Sequence, residues 1–249
     1  MYFLLTFALS LPFLLLGAWI GLQLLPALPL SALGFVCPVA AASILSSREN
    51  GFRGVRDLLK RSLDLGRVKW KAWYLPTILL MPSISLAAYG VMQAMGTSLP
   101  APQIPVIRTL ALVPAFFVGA ICEELGWSGY ATDPLQERFG AFKAAMIIGA
   151  VWAAWHFIPL AEAHRSLEFI AWWTLGTISL RLIIVWLYNN SGRSVFVAAL
   201  FHMMVNLTWQ LFPVNGSFYD PRVMSPIIAL AAALVIVVWG PKTLTRALQ

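Results

Sequence analysis

The chain has 249 residues, of which 60% are hydrophobic and only 11% charged, with a mean hydropathy of +0.79. A soluble domain covers itself with roughly a quarter charged residues, so this composition excludes an ordinary water-soluble fold and points to a surface covered by lipid. The formal net charge of +7 is not a nucleic-acid footprint, because eight of the 17 basic residues fall between two apolar runs, from Arg48 to Lys71. A cytoplasmic loop facing anionic headgroups collects Lys and Arg in this way.

Crossing the hydrocarbon core takes about 20 mostly apolar residues. In chain order the predicted spans are 3–25, 29–46, 72–95, 107–130, 141–158, 169–188, 194–212 and 224–240. The expected fold is an all-α polytopic bundle of about eight membrane helices, one domain over 1–249 with a catalytic-like core at 107–212. The first span follows Met1-Tyr2-Phe3 without a basic leader or a persuasive cleavage site, so it reads as retained rather than as a signal peptide. Cys37 and Cys122 lie in apolar segments and have no metal-ligand spacing to each other. The 11 Trp read as interfacial anchors.

Placing the 48–71 loop in the cytoplasm sends both termini to the same side. Arg138, Lys143, Arg193, Lys242 and Arg246 then join it, while the opposite loops carry Arg222 and an Arg165 offset by Glu162 and Glu168. That asymmetry is coherent with the positive-inside rule. The expected location is a prokaryotic plasma membrane.

Polar groups inside apolar spans are costly and usually functional. Glu123 and Glu124 lie in the fourth span, His156 in the fifth, Arg181 in the sixth, and His202 with Asn206 in the seventh. Neighbours on a helix point about 100° apart, so the two carboxylates cannot aim into one site together. Trp152 is four residues before His156 and shares its face. His202 and Asn206 are also four apart, which stacks both on one face that must turn away from lipid. Each group alone could be a structural ion pair or helix-packing glue. Together they form what a convergent site in a bundle core requires. His164, in an outer loop, has no expected role. Helix rise puts Glu123 and His202 at similar depth, toward the cytoplasmic ends. His156 comes level with them if 134–145 forms an interfacial helix, and the site is expected to open to the cytoplasm.

These residues resemble a known pattern. The order Glu-Glu-x-x-x-Arg, aromatic-x-x-x-His and His-x-x-x-Asn is that of the CAAX protease and bacteriocin-processing family of intramembrane proteases, whose type II members include the CAAX prenyl endopeptidases. Here the segments are Glu123-Glu124 through Ser128, Trp152 through His156, and His202 through Asn206, with Gly-Trp-Ser-Gly-Tyr and Trp-His-Phe-Ile-Pro between them. The likeness covers roughly 120–210. Ser128 departs from it by standing where the pattern has Arg. Ser can only offer a hydrogen bond, so Glu124 must either be protonated or find another cation, for which Arg181 is the candidate partner.

The resemblance implies hydrolysis of a peptide bond by water, on a peptide or prenylated-peptide substrate held at the membrane, with membrane lipid as the other partner and no nucleic acid. Glu123 and His156 suit the activation of a water, and His202 with Asn206 suits an oxyanion. Glu124, Trp152 and Arg181 are expected to support them. Ser128 and Cys122 lack a His at local spacing and are poor nucleophile candidates. No cofactor is expected. If zinc were bound, Glu123, His156 and His202 would be its ligands, although the His-Glu-x-x-His helix of zinc proteases is absent. A non-catalytic immunity or binding protein using the same pocket is the alternative. A transporter would show repeat symmetry and paired broken helices, and the sequence has neither.

Overall fold

Apolar runs punctuated by Gly, Pro and Asn divide the chain into ten helices in the computed structural model, which describes residues 1–246. They are α1 (Tyr2–Ile20), α2 (Cys37–Lys60), α3 (Tyr74–Ala94), α4 (Val106–Gly126), α5 (Asp133–Phe139), α6 (Ala141–Trp155), α7 (Phe157–Glu162), α8 (Leu167–Asn190), α9 (Val195–Leu211) and α10 (Pro221–Trp239). A two-stranded antiparallel hairpin, β1 (Gln23–Leu25) with β2 (Leu28–Pro29), is the small exception to an all-α architecture. Seven helical stretches among the described residues are long and apolar enough to cross a membrane, and α9 is a shorter apolar eighth. The chain is an integral membrane protein. The last three residues of the predicted 1–249 domain lie outside the described residues.

Several predicted boundaries move, each for a local reason. The first span ends at Ile20 rather than 25, because Gly21 takes a left-handed φ of 65° and its N–H closes on the Gly17 carbonyl. The hairpin and a 3-10 stretch (Leu30–Val36) then use residues expected in spans. The basic segment, expected as a loop, is helical as far as Lys60 because α2 runs on through a kink at Asn50–Gly51. Arg, Lys, Glu and Leu are good helix formers wherever water can solvate one face. The stretch 134–145 is not one interfacial helix: Gly140, at φ 81°, ends α5 and starts α6.

The helices that carry the polar residues are packed at the centre. α8 lies against α6 and α10, and α4 lies against α9 and α2. Every residue from Leu180 to Tyr188 is buried. Gly149 on α6 sets the closeness of α8, since a Cβ there would stand 3.0 Å from the Ile178 Cα and 3.2 Å from the Arg181 Cβ. With no side chain at that point, Arg181 is held deep in the bundle.

The two ends of the bundle differ in charge. At one end lie the α2–α3 connection, α5, the α8–α9 turn and the segment after α10, joined by bonds such as Ala141 N–H to the Lys242 carbonyl at 2.8 Å. That end holds 13 of the 17 Lys and Arg. The other end is built from the hairpin and the α3–α4, α7–α8 and α9–α10 connections, tied by Gln103 N–H to the Pro213 carbonyl at 2.7 Å.

Not every charge in the basic segment is a bare topology signal. Arg61 donates to the Gly129 carbonyl at 2.6 Å, to the Tyr188 hydroxyl at 2.6 Å and to the Arg193 carbonyl at 3.0 Å. Asp64 accepts from the Ser194 hydroxyl at 2.6 Å and from the backbone N–H groups of Val195 and Phe196 at 3.1 and 3.2 Å. A carboxylate there satisfies the orphan donors at the start of α9.

Candidate active site

α4 delivers its acidic pair in the last turn before the helix widens. Trp127–Thr132 form a π turn that continues directly into α5. The Thr132 hydroxyl donates to the Trp127 carbonyl five residues back, at 2.8 Å. Such insertions re-aim the side chains beside them and recur at functional sites. Glu123 and Glu124 are 7% and 0% exposed, and they point in different directions, as neighbours on a helix must.

Glu124 faces the protein interior and is saturated. Its Oε2 accepts from the Arg181 Nη1 at 2.8 Å and from the Ser128 hydroxyl. Its Oε1 accepts from the Arg181 Nη2 at 2.9 Å and contacts the His202 Nδ1 at 3.0 Å. The guanidinium comes from α8, 57 residues away in sequence. A buried pair of this kind is tolerable only when both ions are fully hydrogen-bonded, and Glu124 meets that condition. The Arg181 Nε is the one edge of the fork without a partner. Its Cζ lies 4.3 Å from the Trp152 ring centroid, a cation–π contact that favours the positive charge.

Glu123 faces the other way, into a cavity of about 410 Å³ that Trp152, His156, His202 and Asn206 also line. Neither Glu124 nor Arg181 borders that space. The Trp152 Nε1–H donates to the Glu123 Oε2 at 2.9 Å. The same indole meets His202 and His156 edge-on, with ring centroids 5.0 and 5.6 Å away. Trp152 is thus the hub that four of the polar residues touch, more than the aromatic wall expected from spacing.

Both imidazoles have one nitrogen committed. The His156 Nδ1 lies 2.8 Å from the Trp152 carbonyl, which can only accept, so Nδ1 carries the proton and Nε2 is free. The His202 Nδ1 is fixed in the same sense by the Glu124 carboxylate. His156 caps the C-terminus of α6 and sits among Trp155 and Trp173, with centroids 4.9 and 5.3 Å away. The 11 Trp are expected from sequence as interfacial anchors, but the structure buries Trp127 and Trp155 and sets Trp173, half-buried, on the cavity wall. Only the closeness of Trp127 and Trp155 to the Glu-Glu and His segments could have marked them.

The cavity runs toward the end of the bundle opposite the basic segments. From Glu123 its α4 lining passes through Gly119 and Phe116 to Leu112, and its α3 lining runs from Met81 through Ala88 to Met92. It continues to Leu24 of the hairpin, Leu99 and Phe218, all at the end opposite the basic segments. Nothing at the basic end lines it, because Tyr2, Trp127 and Trp155 pack edge to face beneath the site. That floor is tight: a Cβ on Gly126 would run into the Tyr2 hydroxyl and lie 2.6 Å from the Pro38 carbonyl. Helix depth alone points to the basic end, since Glu123 is near the basic end of α4, while the space it faces runs away from that end.

A membrane helix bundle with a carboxylate, two imidazoles and an amide around one internal cavity, backed by a buried ion pair, defines a candidate intramembrane hydrolase. The comparisons fall in the same class. Residues 105–208 match the family described as type II CAAX prenyl endopeptidase Rce1-like. The chain is also 27% identical to a protein named CAAX prenyl protease 2 from the archaeon Methanococcus maripaludis, over 97% of this chain and 94% of the relative. The chain is therefore similar to the type II CAAX prenyl endopeptidases, and the matched segment contains every polar residue assembled above. Among the described residues, no three His, Cys, Asp or Glu side chains are placed to share one metal ion.

Proposed function

We propose that this chain is an intramembrane endopeptidase that hydrolyses a peptide bond of a membrane-associated or prenylated substrate, using water activated by Glu123 and His156. The observation that carries the reading is the division of labour between neighbouring carboxylates: Glu123 borders the cavity, while Glu124 is sealed behind it with Arg181. Similarity to an archaeal protein named as a CAAX prenyl protease supports the substrate class and a prokaryotic plasma membrane.

In this mechanism Glu123 takes a proton from a water held between its carboxylate and the free His156 Nε2. The oxygen attacks the carbonyl carbon. Asn206 and the His202 Nε2, in its protonated form, donate to the oxyanion, a contribution of roughly 3–4 kcal/mol per donor in water-excluded sites. The tetrahedral intermediate collapses as the proton held by Glu123 passes to the leaving amine. Glu124 and Arg181 position His202 and do not touch substrate. No resident metal takes part, so dialysis against a chelator should leave activity intact.

Cleavage of a quenched lipidated peptide by purified protein tests the reading. Loss of cleavage in Glu123→Gln and His202→Ala, at unchanged expression, is the expected result. A binding or immunity protein would keep its phenotype in both variants.

A further inference from the structure

We propose that the groove between α5, the start of α6 and the segment after α10 binds the phosphate headgroup of an anionic phospholipid from the surrounding bilayer. The groove is separate from the central cavity, and the proposal does not depend on the peptidase reading.

The groove encloses about 530 Å³ and is lined by Arg138, Lys143 and Lys242, together with the rings of Phe139 and Phe142. Glu137 is the single carboxylate in the lining, so three cations face one acid. Arg53, Arg67 and Arg193 at the same end of the bundle have carboxylate partners in Asp57, Asp64 and Asp133. Among the described residues, Arg138, Lys143 and Lys242 form no such pair. Their charge is left for a ligand.

The tertiary structure holds these cations together. Ala141 N–H donates to the Lys242 carbonyl at 2.8 Å, and Phe142 N–H to the Pro241 carbonyl at 3.0 Å. The Asn189 amide bridges the Gln136 Oε1 at 3.0 Å and the Thr243 carbonyl at 2.9 Å. The segment after α10 is thereby pinned across α5 and α6, which brings Lys242 into one groove with Arg138 and Lys143. Because backbone carbonyls already take the first donors of α6, side chains must hold the ligand.

Position selects a lipid over a soluble anion. Lys143 lies in the first turn of the membrane-length stretch Ala141–Glu162, and Lys242 follows the end of the stretch Pro221–Trp239. Helix ends of this kind sit at headgroup depth, where basic pockets between membrane helices bind anionic headgroups. From Lys143 the α6 surface continues through Met146 and Ala150, both exposed, at the spacing of a single helix face. An acyl chain can lie along that face while its phosphate takes charge-assisted hydrogen bonds from the cations. Free phosphate would gain only the second contact.

Native mass spectrometry of the full chain, offered equal amounts of phosphatidylglycerol and phosphatidylcholine in detergent, tests the proposal. Preferential retention of phosphatidylglycerol is expected. Lys143→Gln/Lys242→Gln should weaken it about 30-fold, the effect of two headgroup-facing charges. Lys60→Gln/Lys69→Gln makes the same charge change at exposed positions outside the groove and should leave retention unchanged. Arg138→Gln, a single change at an exposed position, should cost about fivefold and carries the test if the double variant does not fold. Equal loss in the two double variants would reduce the effect to diffuse charge and overturn the proposal, as would no preference for phosphatidylglycerol. Displacement of the lipid by inorganic phosphate at matched concentration would make the groove a free-anion site and overturn the lipid assignment.

Discussion

The guanidinium of Arg181 grips both carboxylate oxygens of Glu124, at 2.8 and 2.9 Å, from a different helix. The family pattern provides an Arg four residues after the acidic pair, where one turn of helix brings it back to the carboxylate. Here Ser128 occupies that place and contributes a hydroxyl to Oε2. The cation arrives instead from α8 through the gap left by Gly149. Ion pair and helix packing have become one feature.

Removing one half of that pair strands the other as a fully buried, unpaired charge. Arg181→Leu should therefore cost about 3–5 kcal/mol of stability, read as a fall in thermal midpoint in detergent. Glu124→Leu combined with Arg181→Leu should lose less than the sum of the single changes, as directly paired groups do. Additive losses would mean the pair is not energetically coupled.

Glu123→Gln should separate chemistry from folding. The amide oxygen still accepts from the Trp152 indole, so the thermal midpoint should stay near that of the parent. Cleavage should fall by about 10²–10⁴-fold, the range expected on loss of a general base. An unchanged rate would remove Glu123 from the mechanism.

Asn206→Ala tests the oxyanion role. A donor that engages only the transition state lowers kcat and leaves KM alone, and removing one such donor lowers kcat by about 10²–10³-fold. A change confined to KM would instead make Asn206 a substrate-binding group.

Asp64→Ala tests a residue outside the site. Its carboxylate takes three donors at the start of α9, and losing a helix cap costs about 1–2 kcal/mol. Thermal stability should drop while the rate per folded molecule is retained. Equal loss of rate would show that tilting α9 displaces His202.

How much was legible beforehand follows from the range of the interactions involved. Eight apolar segments and the intramembrane positions of Glu123, Glu124, His156, Arg181, His202 and Asn206 are properties of local composition and helical spacing, and they were readable as such. The pairing of Arg181 with Glu124 was readable by elimination, since a charge stranded in hydrocarbon must find a partner. The clamps made by Arg61 and Asp64 were not, because in sequence they look like any other charges in a basic segment. Their partners on the π turn, α8 and α9 lie from 68 to 132 residues away.

The amino-acid order by itself determined that this protein lives in a membrane, which groups it buries there, and which end carries the positive charge, because hydropathy and charge act residue by residue. Only the packed bundle decided which of two adjacent carboxylates faces open space, and toward which end that space runs. Both depend on how helices distant in sequence close against one another around Gly126 and Gly149, and spacing along a single helix contains no record of that.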